Sequence, residues 1–293
     1  MFSVVIPLYN KSYGIVRAIE SILSQDFKVD FEIIIVNDGS TDDSVLKIEK
    51  YLKYSNIYLI NQKNSGVSVA RNVGIKKCKY EFVCFLDADD WWEEVYFSTL
   101  NELIVKFPKE NFFLMGYQKI RESKNKPIVL GKHTKLFKKF GNNFFNTRAL
   151  VTPSIAVRKT NLFKVGLFPE SISLTEDLYL WSKIICENSV VYTPKIVSNV
   201  FYTDDDSRGS RVLIVPYVLQ YYAKNKNLIR NLNGFLKYIY LAHIYQSYKL
   251  NDYDSWRKRW VIGFKVFPLF SLIFSVMGFI LILKKGFLNA GSK

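Results

Sequence analysis

The sequence predicts an α/β protein: a mostly parallel sheet flanked by helices, followed by a basic helical extension. Three observations carry this expectation. Over the first hundred residues, β-branched runs alternate with segments of helical period. The runs are apolar on both faces, as strands covered by helices on each side must be. Polar clusters, "YNKS", "NDGSTDD" and "DADD", stand directly after three of them, at the strand ends where open α/β sheets bind ligands.

"FSVVIPLY" opens as the first strand, and "SYGIVRAIESILSQ" follows as a helix with Ile15, Ile19, Ile22 and Leu23 on one side. "FEIIIVND" is the second strand and "TDDSVLKIEKYLKY" the second helix. "NIYLINQ", "VSVARNVGIKKC" and "YEFVCFLDAD" continue as strand, helix and strand. Further on, strands are expected at 111–119 and 149–157 around a basic loop, "GKHTKLFKKF". A helix starts near Thr175, and "VVYTPKIVSNV" is a last strand before the loop "FYTDDDSRGSR". From about residue 212 the chain turns to long aromatic helical stretches. These elements divide it into a sheet domain, 1–205, and a helical region, 206–293.

Composition narrows the class. With 293 residues, 49% hydrophobic and 23% charged, the chain can bury a full core and is not a disordered polymer. Its net charge of +15 is uneven: from Ser207 onward 14 Lys or Arg face two acids, a net +12, which leaves +3 for the first 206 residues. Those basic residues flank apolar stretches and not a polar groove with stacking aromatics, so nucleic acid is not the expected partner. Residues 266–283, "VFPLFSLIFSVMGFILIL", are 18 residues without a charge; as a helix they would reach about 27 Å. Basic residues on both sides leave an orientation undecided, and Pro268 and Gly278 suit a re-entrant or in-plane helix as well as a spanning one. Cys78, Cys84 and Cys186 lack metal-ligand spacing and read as reduced, buried thiols.

The motifs come next. In "IIIVNDGSTDDS", Asp38-Gly39 suits a tight turn, and Ser40 or Thr41 can cap the next helix. Capping leaves Asn37 and Asp38 unexplained, and as an acceptor pair they could read the edge of a base. No G-x-G-x-x-G occurs, which argues against a dehydrogenase. "FLDADD" crowds Asp87, Asp89 and Asp90 at a strand end. In an extended chain Asp87 and Asp89 share a face, and two aligned carboxylates suit a hard divalent cation such as Mg²⁺ or Mn²⁺. Asp90 reads as the cap of a helix beginning near Trp91. In "LTEDLYLW", Thr175 reads as an N-cap with Glu176 and Asp177 in the first turn.

Taken together, "VVIPLYN", "VNDGSTDDS", "NSGVSVARNVG", "FLDADDWW", "GLFPES" and "TEDLYLW", in this order, closely resemble family 2 glycosyltransferases of the GT-A fold over residues 2–205. That resemblance implies a nucleotide-sugar donor, with Pro7, Tyr9 and Asp38 around its base and Asn64 and Arg71 beside base and ribose. It implies that Asp87 and Asp89 are the D-x-D motif, Asp89 binding the metal that bridges the diphosphate. Asp177 falls on the E-D motif as general base of an inverting transfer; Glu176 would raise its pKa or orient the acceptor. The loop with Arg208 and Arg211 departs from the family pattern, although those arginines could still reach the phosphates. A sugar-phosphate nucleotidyltransferase would open with a Gly-rich, Arg-bearing loop where this chain has "PLYNKSYG". A non-catalytic nucleotide-sugar-binding scaffold would be favoured by loss of Asp89 or Asp177, and both are present. Donor sugar and linkage are not readable. A saccharide on a lipid carrier, in bacterial surface-polysaccharide assembly, is the expected acceptor. Strand-like sequence from Phe2 leaves no room for a signal peptide, so the catalytic part is expected at the cytoplasmic face of the membrane.

Overall fold

The computed structural model describes residues 1–121, 125–172, 175–202, 217–225, 231–249 and 253–267. The chain forms two compact units, Met1–Phe140 with Arg148–Asp204, and Gly141–Thr147 with Asp205–Lys293.

The first unit opens with three βα steps and a fourth strand. Its strands are β1 (Phe2–Leu8), β2 (Phe31–Asp38), β3 (Ile57–Gln62) and β4 (Phe82–Phe85); between them run α1 (Ile15–Leu23), α2 (Ser44–Ile48) and α3 (Val67–Lys77). β1 pairs in parallel with β2 and β4, and β2 with β3. Val4 and Ile6, and Ile33 and Ile35, are fully buried, as are Ile15, Ala18, Ile19 and Ile22 on the inner side of α1. At roughly 1.5–3 kcal/mol per large buried side chain, this layer holds the parallel half of the sheet together. The helix expected over "TDDSVLKIEKYLKY" is shorter: α2 gives way after Ile48 to a 3₁₀ turn, Glu49–Tyr51.

The second half departs from the expected mostly parallel sheet. After the two-residue β5 (Trp91–Trp92) and α4 (Tyr96–Lys106) come β6 (Phe112–Ile120), β7 (Lys126–Ile128), β8 (Lys135–Phe137), β9 (Ile155–Arg158), α5 (Lys159–Val165), α6 (Glu176–Glu187) and β10 (Val190–Phe201). The order is β3-β2-β1-β4-β9-β6-β10-β5, with β7 on β6 and β8 on β10. β9 lies antiparallel between β4 and β6, while β10 is parallel to β6 and antiparallel to β5 and β8. A parallel return needs a long crossover, usually a helix. Between β6 and β9 the described chain has only short strands and 3₁₀ turns, and it comes back antiparallel. The result is a mixed sheet.

Trp91 is therefore in a strand and opens no helix. Asp90, read as a cap, is 3% exposed and accepts the Phe201 N–H at 2.8 Å, tying the acidic turn to β10. The three thiols are free; burial pushes those of Cys78 and Cys84 up to about 12, so both are inert at neutral pH.

In the second unit the described helices are α7 (Tyr217–Lys224), α8 (Asn233–Lys249) and α9 (Tyr253–Val266). On α9, Arg257, Lys258, Val261, Phe264 and Lys265 are exposed. Among the described residues no helix is long and apolar enough to cross a membrane. Arg208, Arg211 and Asp204–Asp206 lie outside the described residues, as does the apolar segment 266–283 from residue 268 on.

Candidate active site

Four loops converge at the carboxyl ends of β1, β2, β3 and β4. Pro7 suits the start of this crevice, because β4 pairs with β1 only as far as Val5, so the missing N–H breaks no β1–β4 bond. Tyr9, just beyond β1, is 46% exposed. The loop that follows is fastened to the segment after β2. Asn10, at φ 50°, accepts the Thr41 N–H at 2.8 Å; the Lys11 N–H donates to Ser44 Oγ at 2.9 Å and the Ser12 N–H to Asp42 Oδ2 at 3.0 Å. Ser40 and Thr41 are thus spent on the β1 loop and cap no helix. Asp42 instead accepts the Ser44 N–H at 3.0 Å, at the start of α2. Gly14 closes the loop on the acidic turn: a Cβ there would stand 2.6 Å from the Ala88 carbonyl oxygen, closer than any side chain tolerates.

Asp38 ends β2, and Gly39 turns the chain at φ 74°. The Asp38 carboxylate is 4% exposed and fully engaged: Oδ1 accepts Gln62 Nε2 and the Ser65 N–H, each at 2.7 Å, and Oδ2 accepts the Gly66 N–H at 2.8 Å. It therefore shapes the loop bearing Asn64, which is exposed and packs on Gly39. Asn37 does not read a base edge, since its amide donates to Asn61 at 2.9 Å and accepts the Ser40 N–H at 3.0 Å. Asp38→Ala would strand two loop N–H groups, so it is expected to cost about 2 kcal/mol in urea unfolding. Asp38→Asn should recover only part, because its amide nitrogen would face N–H donors.

The acidic turn answers why like charges crowd after β4. Its geometry is not the extended one that aligns alternate residues: the Asp90 N–H bonds the Asp87 carbonyl at 3.0 Å and closes a turn. Each carboxylate finds its own partner. Asp87 Oδ1 accepts Arg71 Nη2 at 2.8 Å, and Asp89 Oδ2 accepts Lys11 Nζ at 2.6 Å and the Tyr13 hydroxyl at 3.2 Å. Arg17 donates to the Asp89 carbonyl at 2.7 Å while its guanidinium lies 3.7 Å from the Trp91 ring centre.

The family resemblance puts Arg71 beside base and ribose. It is 5% exposed, and its guanidinium spans Asp87 and Glu176 Oε1, the latter at 3.2 Å, with Phe168 5.1 Å away. Burial alone would lower its pKa; Asp87, Glu176 and Asp177 more than reverse that and hold it charged. Asn72 secures the loop leading to α6, accepting the Phe168 N–H at 2.9 Å and donating to the Phe168 carbonyl at 2.8 Å and to Glu170 at 3.0 Å.

Glu176 and Asp177 open α6. Thr175 stands at the N-cap position without capping: its φ is 63°, and its hydroxyl is buried with no hydrogen-bond partner among the described residues. Asn10, Leu167 and Thr175 are the non-glycine residues at positive φ among those described, and all three sit in these loops. Backbone strain gathers where the carboxylates do. Asp177 Oδ1 accepts the Leu178 N–H at 2.7 Å, yet its carboxyl is pushed up to about 7, first by burial and then by Glu176. Arg71 pulls the other way but faces three carboxylates at once. The cluster is short of positive charge.

Those carboxylates suit a divalent cation. Among the described residues, no group of three or more His, Cys, Asp and Glu could hold a metal by protein ligands alone. Asp87 and Asp89 each keep one oxygen that takes no hydrogen bond from the described residues. One or two carboxylates completed by phosphate oxygens is a familiar Mg²⁺ shell. An open cleft of about 760 Å³ beside α1, lined by Arg17, Glu20, Trp91, Glu93 and Gln118, adjoins the acidic turn through Arg17 and Trp91.

Lys11, Tyr13, Arg17 and Asn72 went unnoticed in the sequence. The available signal for the first three was position: the loop after a central strand reaches the same sheet edge as Asp38 and Asp89.

Fold and cluster together define a GT-A-like α/β protein with a curled mixed sheet and flanking helices. Residues 3–166 match the family described as glycosyl transferase family 2. The chain belongs to that family. An uncharacterized glycosyltransferase of Rickettsia felis is 38% identical over 209 residues, covering 68% of this chain and 32% of the relative. Glycosyltransferase GlyA of Streptococcus pneumoniae is 30% identical over 205 residues, covering 66% and 29%. The matched part is thus about a third of the length of these curated relatives. Crystal structures of S. aureus TarS residues 1–349 share the fold. One has a TM-score of 0.72 at 22% identity and covers 92% of this chain and 82% of its own; a complex with UDP-GlcNAc has 0.74 at 21%, covering 90% and 81%.

Proposed function

We propose that the chain transfers a sugar from a nucleotide-diphosphate sugar to a saccharide or lipid-linked saccharide acceptor, with inversion, at the crevice between Asp38, Asp89 and Asp177. The observation that carries this reading is Asp177: a carboxyl at the mouth of α6 whose surroundings raise it to about 7, where a general base works best. It takes the proton of the acceptor hydroxyl as that oxygen attacks the anomeric carbon. The bond from this carbon to the diphosphate breaks, and the diphosphate leaves with the electron pair from the opposite face. Glu176, held by Arg71 at 3.2 Å, lies beside Asp177 and raises its pKa by like-charge repulsion. Asp89, with Asp87 beside it, would hold Mn²⁺ or Mg²⁺, which neutralises charge on the departing diphosphate.

Tyr9 and Asn64, both exposed at the crevice, are suited to base and ribose; Asp38 acts mainly by shaping the loop on which Asn64 stands. A uridine diphosphate donor is supported by the UDP-GlcNAc complex of TarS. Arg208 and Arg211 remain candidates for the diphosphate. The net +12 after residue 206 and the apolar run 266–283 support association with an anionic cytoplasmic membrane surface and a lipid-linked acceptor in bacterial surface-polysaccharide assembly.

Titration calorimetry of the purified chain against a panel of nucleotide sugars tests the reading. Binding is expected for at least one of them, tightened by Mn²⁺ or Mg²⁺ and weakened by excess EDTA and by Asp89→Ala, with turnover abolished in both cases. Undiminished turnover in EDTA would remove the metal from the account.

A further inference from the structure

We propose that Lys11 is a second cation for the donor diphosphate, and that by sitting on Asp89 it competes with the divalent metal for that carboxylate. This inference rests on the reading of the crevice as a nucleotide-sugar site.

The backbone around Lys11 is pinned by hydrogen bonds, while its charged end lies at the surface of the crevice. Its own N–H is held by Ser44, those of its neighbours Asn10 and Ser12 by Ser40 and Asp42, and Gly14 packs against the acidic turn. The side chain, by contrast, is 36% exposed and meets Asp89 Oδ2 at 2.6 Å and the Tyr13 hydroxyl at 2.8 Å. An ammonium on a flexible four-carbon stem can exchange one anion for another nearby without moving the backbone, and a partly exposed ion pair is easily exchanged.

The acidic turn does not need this pair for its shape. Arg17 already binds the Asp89 carbonyl, and the Asp90 N–H closes the turn on Asp87. What Lys11 does hold is the carboxylate assigned to the metal. A divalent ion arriving at Asp89 meets a resident positive charge. An incoming diphosphate offers that charge a better anion, because it carries more negative charge and more acceptor oxygens than one carboxylate. Donor binding would thus draw Lys11 off Asp89 and open the carboxylate to the metal. Metal and nucleotide would then bind cooperatively, with Lys11 as the part that moves.

Two probes on the full-length chain separate this from a merely structural ion pair. UDP is titrated in EDTA, with uridine as a control lacking phosphate, and Mn²⁺ alone is titrated by the electron paramagnetic resonance of the free ion. Lys11→Met is expected to weaken metal-free UDP binding by about tenfold or more, the scale of one charge-assisted hydrogen bond. It should leave uridine unchanged and tighten the binding of Mn²⁺ alone. Lys11→Arg, which keeps the charge, should stay near wild type with UDP and show no tightening of Mn²⁺. The opposite signs of the two effects are the signature. Both probes weakened together, or neither altered, in a Lys11→Met protein that melts like wild type overturns the inference. A wild-type chain that binds UDP in neither Mn²⁺ nor EDTA overturns the reading of the crevice itself.

Discussion

Replacing Arg71 by alanine is expected to destabilise the protein by about 3 kcal/mol, the low end for removing one partner of a buried charge cluster. The low end applies because Asp87 keeps a 32% exposed side chain and part of its hydration. The loss is not one ion pair but a bridge between the turn after β4 and the first turn of α6: without the guanidinium, Asp87, Glu176 and Asp177 face one another uncompensated. Arg71→Lys should recover less than half, since a single ammonium cannot reach both carboxylates with the fork geometry. Urea unfolding measures both. A functional effect accompanies the structural one. Arg71 is what lowers the Asp177 pKa against burial and Glu176, so without it Asp177 is protonated over more of the neutral range.

Asp177→Asn is expected to lower sugar transfer by at least about 10²-fold, the lower range of general-base contributions, while metal-dependent donor binding persists. The same change should make the protein more stable at neutral and alkaline pH. Asp177 has a raised folded-state pKa, so its ionisation is resisted by the fold, and stability falls as pH climbs from the unfolded value of about 4 toward about 7. The asparagine variant escapes that cost. Its melting temperature should match wild type near pH 4 and exceed it at pH 8. A simple helix-capping residue would do the reverse, losing stability on substitution and leaving transfer intact.

The parallel half of the sheet was readable because strand and helix periods are local signals, and residues 2–86 carry them without interruption. The antiparallel return of β9 and the pairing of β5 with β10 were not, because both depend on partners more than forty residues away in sequence. The acidic stretches misled in one consistent way. Ser40, Thr41, Asp90 and Thr175 all have the composition of helix caps, and local propensity cannot see that Asn10 or Phe201 holds three of them instead. The motif residues were legible as a set, and their company was not. That Arg71 lies on a helix after a strand follows from spacing; that it joins Asp87 to Glu176, 105 positions along, follows only from the closed fold. The same holds for Asp177, whose burial turns an ordinary first-turn aspartate into a group that titrates near neutrality.

The pH dependence of donor turnover tests the central claim most directly. Release of nucleoside diphosphate from the nucleotide sugar that binds would be followed from about pH 5 to about pH 9 at saturating metal and acceptor. A base must be ionised to accept the acceptor's proton, so the wild-type rate should climb through an apparent pKa near 7 and level off above it. The residual rate of Asp177→Asn should lack that climb. A wild-type profile flat across this range, or an Asp177→Asn protein that turns over donor at the wild-type rate, would contradict Asp177 as the base and with it the assignment of chemistry to this crevice.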